Sequence, residues 1–104
     1  LIRTRALGDL LAHRLGDGIA VMMRGHGITT AMADVRSATV AALFLEESAE
    51  LQLRMLACAG GDAGRLRAYT REEAERVSNQ ISPAVVERAW EYCAIAAAQK
   101  SLGR

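Results

Sequence analysis

The feature that most constrains the fold is a histidine between two glycines, Gly25-His26-Gly27, which interrupts a run of apolar and β-branched residues. Residues 19–24 before it form a short apolar run typical of a buried strand, and residues 28–32 after it resume with β-branched side chains. Glycine permits unusual backbone dihedrals and close backbone approach. The pattern therefore predicts two short strands that are joined or bent at the glycines.

Helical patterns lie on both sides of these strands. The first covers residues 4–15, and Gly16 follows it as a helix stop. After the strands, Asp34 is a candidate N-cap for the longest helical pattern, which runs to about Cys58. Its apolar side chains lie on several faces, so we expect this helix to be buried on more than one side. The glycines of residues 60–64 then predict a loop.

Two further helices are predicted near the C-terminus. Thr70 and Glu73 have the spacing of a capping box and predict a short polar helix through about Gln80. Pro83 suits the first position of the last helix, which continues to about Lys100. The interleaved arginines and glutamates before and within the short helix are typical of a solvated face.

Composition excludes several classes of protein. The chain has 104 residues, of which 51% are hydrophobic and 24% charged, so it is one folded domain at most and not a disordered tail. Its 13 basic and 12 acidic side chains give a net charge of +1, which predicts no nucleic-acid partner. The apolar stretches are too short for a signal peptide or a membrane span, so we expect no membrane partner.

The two cysteines, Cys58 and Cys93, are too few for a disulfide framework and fit a reducing, cytoplasmic location. Their positions in helices predict that both pack as small apolar groups. Met22 and Met23 are interpreted in the same way, as core side chains.

His26 is the candidate for chemistry. The glycine on each side removes side-chain bulk, so a metal ion or a substrate could approach the ring closely. A lone histidine is nevertheless more often a structural residue than a ligand, and spacing alone leaves both interpretations open.

Three segments of the sequence, taken together, indicate a protein family, which the spacing around His26 alone does not. They are the strand region Ala20-Val-Met-Met-Arg-Gly-His-Gly-Ile-Thr-Thr-Ala-Met32, the helical run Leu45-Glu-Glu-Ser-Ala-Glu-Leu-Gln52, and the upstream helix that ends in Leu15-Gly-Asp-Gly18. In this combination the chain resembles the class II aldolase/adducin family over residues 3–95. The resemblance implies an α/β fold, with this chain as the C-terminal part of a three-layer α/β/α domain: a helix, a β-hairpin or two short strands, a long helix and two further helices.

The resemblance also implies a metal site. Family members hold a divalent metal ion with three histidines, two from a His-x-His pair and one that matches His26. Zinc suits such a set of imidazoles, and manganese or another divalent ion is an alternative. The metal would chelate two adjacent substrate oxygens and stabilise an enolate-like charge.

The sequence departs from this family pattern in two respects, the paired histidines and the acid/base carboxylate. It contains no His-x-His pair, its other histidine is His13 within the first helix, and no suitable acid/base carboxylate accompanies the pattern. The chain also begins with Leu1 instead of methionine. We therefore expect residues 1–104 to be a partial domain that lacks its N-terminal half, with the acid/base residue in that half. The chain alone is expected to be inactive.

Two other residues are candidates for substrate binding. The Arg24 guanidinium can bind a carboxylate or phosphate, although a salt bridge or a solvated strand end would also explain it. On the last helix, Trp90 is expected to face the core. The family's ring-shaped tetramers place their active sites between subunits, so the resemblance makes Tyr92 a second candidate contact, from a neighbouring subunit of a homotetramer.

The resemblance predicts a metal-dependent carbon–carbon lyase that acts on a small molecule. A decarboxylase of a hydroxylated aromatic acid is favoured over an aldolase of a small hydroxy-carbonyl or sugar-phosphate substrate, because the segments around Arg24 and residues 76–92 look more like that branch. A sugar-phosphate epimerase and a non-catalytic, adducin-like assembly module are the alternatives.

Overall fold

The structure is a computed structural model that describes residues 2–78 and 82–102. The chain divides into two units, residues 1–44 and residues 45–104. In chain order the described elements are α1 (Arg5–Leu15), β1 (Ala20–Met23), β2 (Gly27–Thr30), α2 (Val35–Cys58), a 3-10 turn (Ala63–Arg65), α3 (Arg71–Ser78) and α4 (Pro83–Leu102).

Helix α1 of the first unit has well-defined ends. Thr4 is extended, and its hydroxyl oxygen accepts a hydrogen bond from the Leu7 N–H at 3.3 Å, so one of the free N–H groups of the first turn is satisfied. At the other end Gly16 has a φ of 51°, and its N–H donates to the Ala12 carbonyl at 2.9 Å. The predicted helix is confirmed, with Thr4 as its cap.

Strands β1 and β2 pair as an antiparallel hairpin in which Met23 lies opposite Gly27. The ladder continues past the strand ends, because the Ala31 N–H donates to the Ile19 carbonyl at 3.0 Å. The two predicted strands are confirmed, and each is shorter than the apolar run that predicted it.

The hairpin is joined to the start of α2 by side-chain hydrogen bonds. The two carboxylate oxygens of Asp34 accept from the backbone N–H and the hydroxyl of Ser37, at 2.9 Å and 2.8 Å. On β2, the half-buried Thr30 hydroxyl donates to the Ala38 carbonyl at 3.0 Å. Asp34 is therefore the N-cap that the sequence predicts, while Thr30 fixes the strand against the first turns of the helix.

The cap of α2 makes the stability of this unit depend on pH. The backbone N–H of Ser37, and then its hydroxyl, lower the pKa of Asp34 below its ordinary value. Because the folded pKa is lowered, the stabilisation is complete above the ordinary carboxyl pKa and is lost as the pH falls through the lowered one. The Asp34→Asn variant keeps a capping side chain without the charge.

We therefore expect the wild-type chain to have a higher urea midpoint than Asp34→Asn at neutral pH. The two midpoints should converge on acidification, as followed by circular dichroism. A difference that stays constant down to acidic pH would contradict this account of the cap.

In the second unit, α2 ends in two glycines. Gly60 and Gly61 have φ values of 71° and 83°, a conformation that side chains other than glycine rarely adopt. The Arg65 guanidinium donates to the Ala59 carbonyl at 3.3 Å and places a positive charge at the negative end of the helix dipole. The loop predicted from the glycines is confirmed, apart from its 3-10 turn.

The last two helices begin where the sequence predicts. The Glu73 N–H donates to the Thr70 hydroxyl at 3.2 Å, and the Glu73 carboxylate accepts from the Thr70 N–H at 2.9 Å, so the capping box is formed. Every residue of α3 is exposed, as expected for a polar helix. Its predicted end at Gln80 lies outside the described residues. Helix α4 begins at Pro83, in agreement with the prediction.

Burial differs from the sequence predictions. Among the described residues only Val40 and Ala59 are buried, at 2% and 8% exposure. The prediction that α2 is buried on more than one side is therefore wrong for this chain: Val35 and Leu53 are open to solvent, for example. Helical periodicity identifies an apolar face, but it does not supply the element that covers it.

The methionines and cysteines need similar corrections. Met22 is 72% exposed and is not a core side chain, whereas Met23 is half-buried. Cys58 is exposed at the end of α2, and Cys93 is half-buried. Successive strand residues point to opposite faces, so only one of two adjacent methionines can face the interior of the first unit.

The described residues thus combine four α-helices with one two-stranded sheet, a mixed helical and β architecture compatible with the α/β class. The three-layer arrangement, and the assignment of the chain to the C-terminal part of a domain, remain predictions. No described helix is long and apolar enough to cross a membrane.

Candidate functional site

The candidate site is the turn of the β-hairpin. Since Met23 pairs with Gly27, three residues lie between the strands: Arg24, Gly25 and His26. The turn is closed by a hydrogen bond from the His26 N–H to the Met23 carbonyl at 3.1 Å. The Arg24 guanidinium and the His26 imidazole therefore lie two residues apart on one short, hydrogen-bonded turn.

Both glycines that flank His26, Gly25 in the turn and Gly27 at the start of β2, are required by their backbone conformation. Gly25 has a φ of 66° at the third position of the turn, where a positive φ favours glycine, and Gly27 has a φ of 150°. A Cβ atom added at either position would meet no other atom within 4 Å. Steric space is thus not the reason for glycine at these positions, and the positive φ is.

The structure places both candidate side chains of the turn in solvent. Arg24 and His26 are exposed, and within the described part of the chain neither side chain makes a hydrogen bond or an ion pair. The sequence predicts two strands joined or bent at the glycines around His26, and the structure places His26 in the turn between them. An exposed imidazole without a partner has both ring nitrogens available to an incoming group.

A metal site is incomplete within this chain. Among residues 2–78 and 82–102, no group of three or more histidine, cysteine, aspartate or glutamate side chains is close enough to hold a metal ion. His26 offers a single nitrogen donor, whereas a catalytic zinc site has three protein ligands. The described residues therefore do not form a metal site by themselves.

The other candidate, Tyr92, belongs to the second unit. It lies on α4 and is 75% exposed, while Trp90 two residues earlier is half-buried, as expected. The arginines of this unit form a solvated face: Arg71, for example, pairs with Glu75 at 3.3 Å, and both side chains are largely exposed. The role of Tyr92 in substrate binding remains a prediction.

The sequence interpretation did not identify a shallow depression in the second unit, lined by Arg67, Tyr69, Thr70 and Glu73 among others. Its acidic member is the capping-box glutamate, which is already bound to a backbone N–H. The capping-box spacing predicts a structural role for Thr70 and Glu73, and it says nothing about Arg67 or Tyr69.

Comparison with known proteins adds two findings. Residues 1–53, which include α1, the hairpin and most of α2, match the sequence model of the Class II Aldolase and Adducin N-terminal domain. The chain is also 35% identical over 60 residues to a 3,4-dihydroxyphthalate decarboxylase of Arthrobacter keyseri, an alignment that covers 58% of this chain and 24% of that protein. The chain thus spans about a quarter of this relative's length. No solved structure matches significantly.

Proposed function

This chain belongs to the class II aldolase and adducin family, and we propose that the protein containing it is a carbon–carbon lyase that decarboxylates a hydroxylated aromatic acid. One observation carries the proposal: the hairpin turn with its exposed Arg24 and His26 lies inside the matched residues 1–53. The similarity to a decarboxylase supports this reaction over the others in the family.

In this proposal His26 is one ligand of a divalent metal ion, with zinc first and manganese or another divalent ion as alternatives. The remaining ligands and the acid/base residue would come from outside residues 1–104, because the described residues contain no group of three or more donors that could hold a metal ion. The hairpin contributes the position of the imidazole. Its backbone hydrogen bond and its two positive φ values hold the ring at the tip of the turn.

Arg24 has the chemistry of a substrate clamp. A guanidinium binds a carboxylate with two parallel hydrogen bonds, which orients a planar aromatic acid as well as attracting it. The side chain has no partner among the described residues, so no existing ion pair has to break before it binds. We propose that Arg24 holds a substrate carboxylate next to His26. Tyr92 would contact substrate from a neighbouring subunit of a homotetramer.

Substitution of Arg24 tests this role. Hydrogen bonds to charged groups contribute about 1.5–3 kcal/mol, so Arg24→Ala in the full-length enzyme should raise KM about ten- to a hundredfold. The Arg24→Lys variant keeps the charge and loses the fork, and it should retain only part of the affinity. Arg14→Ala, at an exposed arginine of α1, is the matched control. An unchanged KM in Arg24→Ala would contradict the assignment.

A product assay on the full-length gene product tests the reaction itself. The substrates are an aromatic acid with a hydroxyl group beside its carboxylate and, in a parallel sample, a sugar phosphate. Release of carbon dioxide from the aromatic acid is the expected result. Cleavage or epimerisation of the sugar phosphate would replace the decarboxylase with the aldolase or epimerase of the same family. Turnover of neither, by a folded protein loaded with metal, would favour the non-catalytic assembly module.

A further inference from the structure

Strand β2, which begins directly after His26, is attached to α2 through a side-chain hydrogen bond. The Thr30 hydroxyl donates to the Ala38 carbonyl at 3.0 Å, and both residues are half-buried, so water has limited access to this bond. The neighbouring Thr29 points to the opposite face of the strand. Within the part of the chain that the structure describes, its hydroxyl makes no hydrogen bond. The two adjacent threonines therefore differ in one respect that can be tested.

The acceptor of this bond lies in a fixed part of the helix. The Ala38 N–H donates to the Asp34 carbonyl at 3.0 Å, and Asp34 caps the helix through Ser37. Val40, two residues later, is the most deeply buried of the described residues. A carbonyl oxygen has two lone pairs, so the Ala38 carbonyl accepts from Thr30 without giving up its helical hydrogen bond. The hairpin is thus attached to a turn of helix that capping and burial hold in place.

The ladder between the strands does not fix the hairpin relative to the rest of the first unit. Its backbone hydrogen bonds join β1 to β2, and a two-stranded hairpin by itself is at best marginally stable in water. Within this unit, contacts with the helices set its position: β1 contacts α1, and β2 is bound to α2 through Thr30. Of these two contacts, the Thr30 bond acts on the strand that directly follows His26.

Distance makes the position of His26 sensitive to this bond. His26 precedes Thr30 by four residues, which is roughly 13 Å of extended strand. A tilt of the hairpin about Thr30 by about 5° would thus move the imidazole by about 1 Å. Distances between a metal and its ligands vary by only about 0.2 Å, and a misplacement of about 1 Å can cost about a hundredfold in rate. A small movement at the base of the hairpin therefore has a large effect at its tip.

From these observations we propose that Thr30 is a positioning residue, whose hydrogen bond to the Ala38 carbonyl sets the place of His26 for metal binding. The inference rests on the proposed function, because it takes His26 as a metal ligand. Thr30 lies at the far end of the strand and would contact neither metal nor substrate. Its role is to reduce the entropy cost of binding, since a hairpin that is already held in place has less freedom to lose.

Zinc titration of the metal-free, full-length gene product tests this role. Thr30→Val replaces the hydroxyl with a methyl group of similar size and should raise the zinc dissociation constant about tenfold. Thr30→Ser keeps the donor and should bind zinc nearly as tightly as the wild type. Thr29→Val is the matched control, because it makes the same chemical change one residue away and on the opposite face of β2. Its zinc affinity should be unchanged.

A second readout distinguishes positioning from fold stability. Valine suits a β-strand and the Ala38 carbonyl keeps its helical bond, so circular dichroism should show Thr30→Val fully folded at the temperature of the titration. Saturating zinc should bring its kcat close to the wild-type value, since the loss lies in the affinity for zinc and not in the loaded site. A merely structural role would lower the urea midpoint and leave the zinc dissociation constant of the folded protein unchanged.

Three results would overturn the inference, and they separate it from the proposed function. If His26→Ala weakens zinc binding and Thr30→Val does not, His26 is a ligand that Thr30 does not position, and this inference alone fails. Equal effects of Thr30→Val and Thr29→Val would overturn it in the same way. If His26→Ala leaves zinc binding unchanged, the proposed function fails and this inference fails with it.

Discussion

Replacing His26 by alanine in the full-length enzyme should lower kcat/KM about 10³-fold, the largest effect expected from a single substitution in this chain. In the proposed function the substitution removes one metal ligand, and with it a transition-state stabilisation of several kcal/mol, where each 1.36 kcal/mol corresponds to a factor of ten in rate. Metal content per chain should fall together with activity. His13→Ala is the matched control, because His13 is an exposed histidine on α1 and should leave both quantities unchanged.

A backbone hydrogen bond of the turn makes it possible to distinguish loss of a metal ligand from loss of fold stability. The hydrogen bond to the Met23 carbonyl comes from the main-chain N–H of His26, which alanine retains. The variant should therefore unfold at nearly the wild-type urea concentration while it loses activity. A His26→Ala enzyme with normal activity and metal content would show that the imidazole is not a ligand. A large loss of stability would indicate a structural role instead.

The second large effect is expected at Gly27. Its φ of 150° lies in a region that other residues rarely adopt, so Gly27→Ala should cost about 1–3 kcal/mol of folding free energy. The added methyl group meets nothing within 4 Å, so the cost would arise from the backbone and not from a clash. Relief of this strain would also move the neighbouring His26, and we expect activity to fall further than stability alone explains.

Gly8→Ala is the control that isolates the cost of placing alanine at a positive φ. Gly8 lies within α1, it does not have a positive φ, and an added methyl group there also meets nothing within 4 Å. Alanine in a helix stabilises relative to glycine by about 0.5–1 kcal/mol. The urea midpoint of unfolding should thus rise for Gly8→Ala and fall for Gly27→Ala. Equal shifts for Gly8→Ala and Gly27→Ala would contradict the conformational argument.

Local hydrogen bonding made much of the fold predictable. Thr4, Asp34 and the Thr70–Glu73 pair each bind backbone N–H groups within three residues in the sequence. A helix start of this kind depends on no distant contact, so residue type and spacing are sufficient to locate it. The hairpin was predictable for a related reason, because its turn depends on glycines whose backbone freedom no other residue provides.

Burial and hairpin register were less predictable. The apolar periodicity of α2 predicts helix correctly but does not show that Leu53 or Cys58 stays exposed, since exposure depends on which elements pack against the helix. The glycines predict that the two strands are joined or bent near His26, but which residues form the turn depends on which residue Met23 pairs with. Register is set by the strands and the turn together, and the local composition leaves it open.

For the site, the sequence located one candidate ligand and one candidate clamp, and the structure places both in the same turn. A complete metal site could not be predicted, because His26 belongs to no group of three or more possible metal ligands among the described residues. The resemblance to the family implies that the further ligands would be a His-x-His pair, which remains a prediction. In the proposed function those ligands lie outside residues 1–104, and their positions do not follow from this stretch of sequence.

The central claim is that His26 belongs to the metal site of a lyase. The measurement that tests it most directly is carbon dioxide release by the full-length gene product, followed as its metal is removed with a chelator and then restored. We predict about one metal ion per chain, loss of activity on removal, and recovery when zinc or manganese is added back. Full activity in the metal-free protein would contradict the claim.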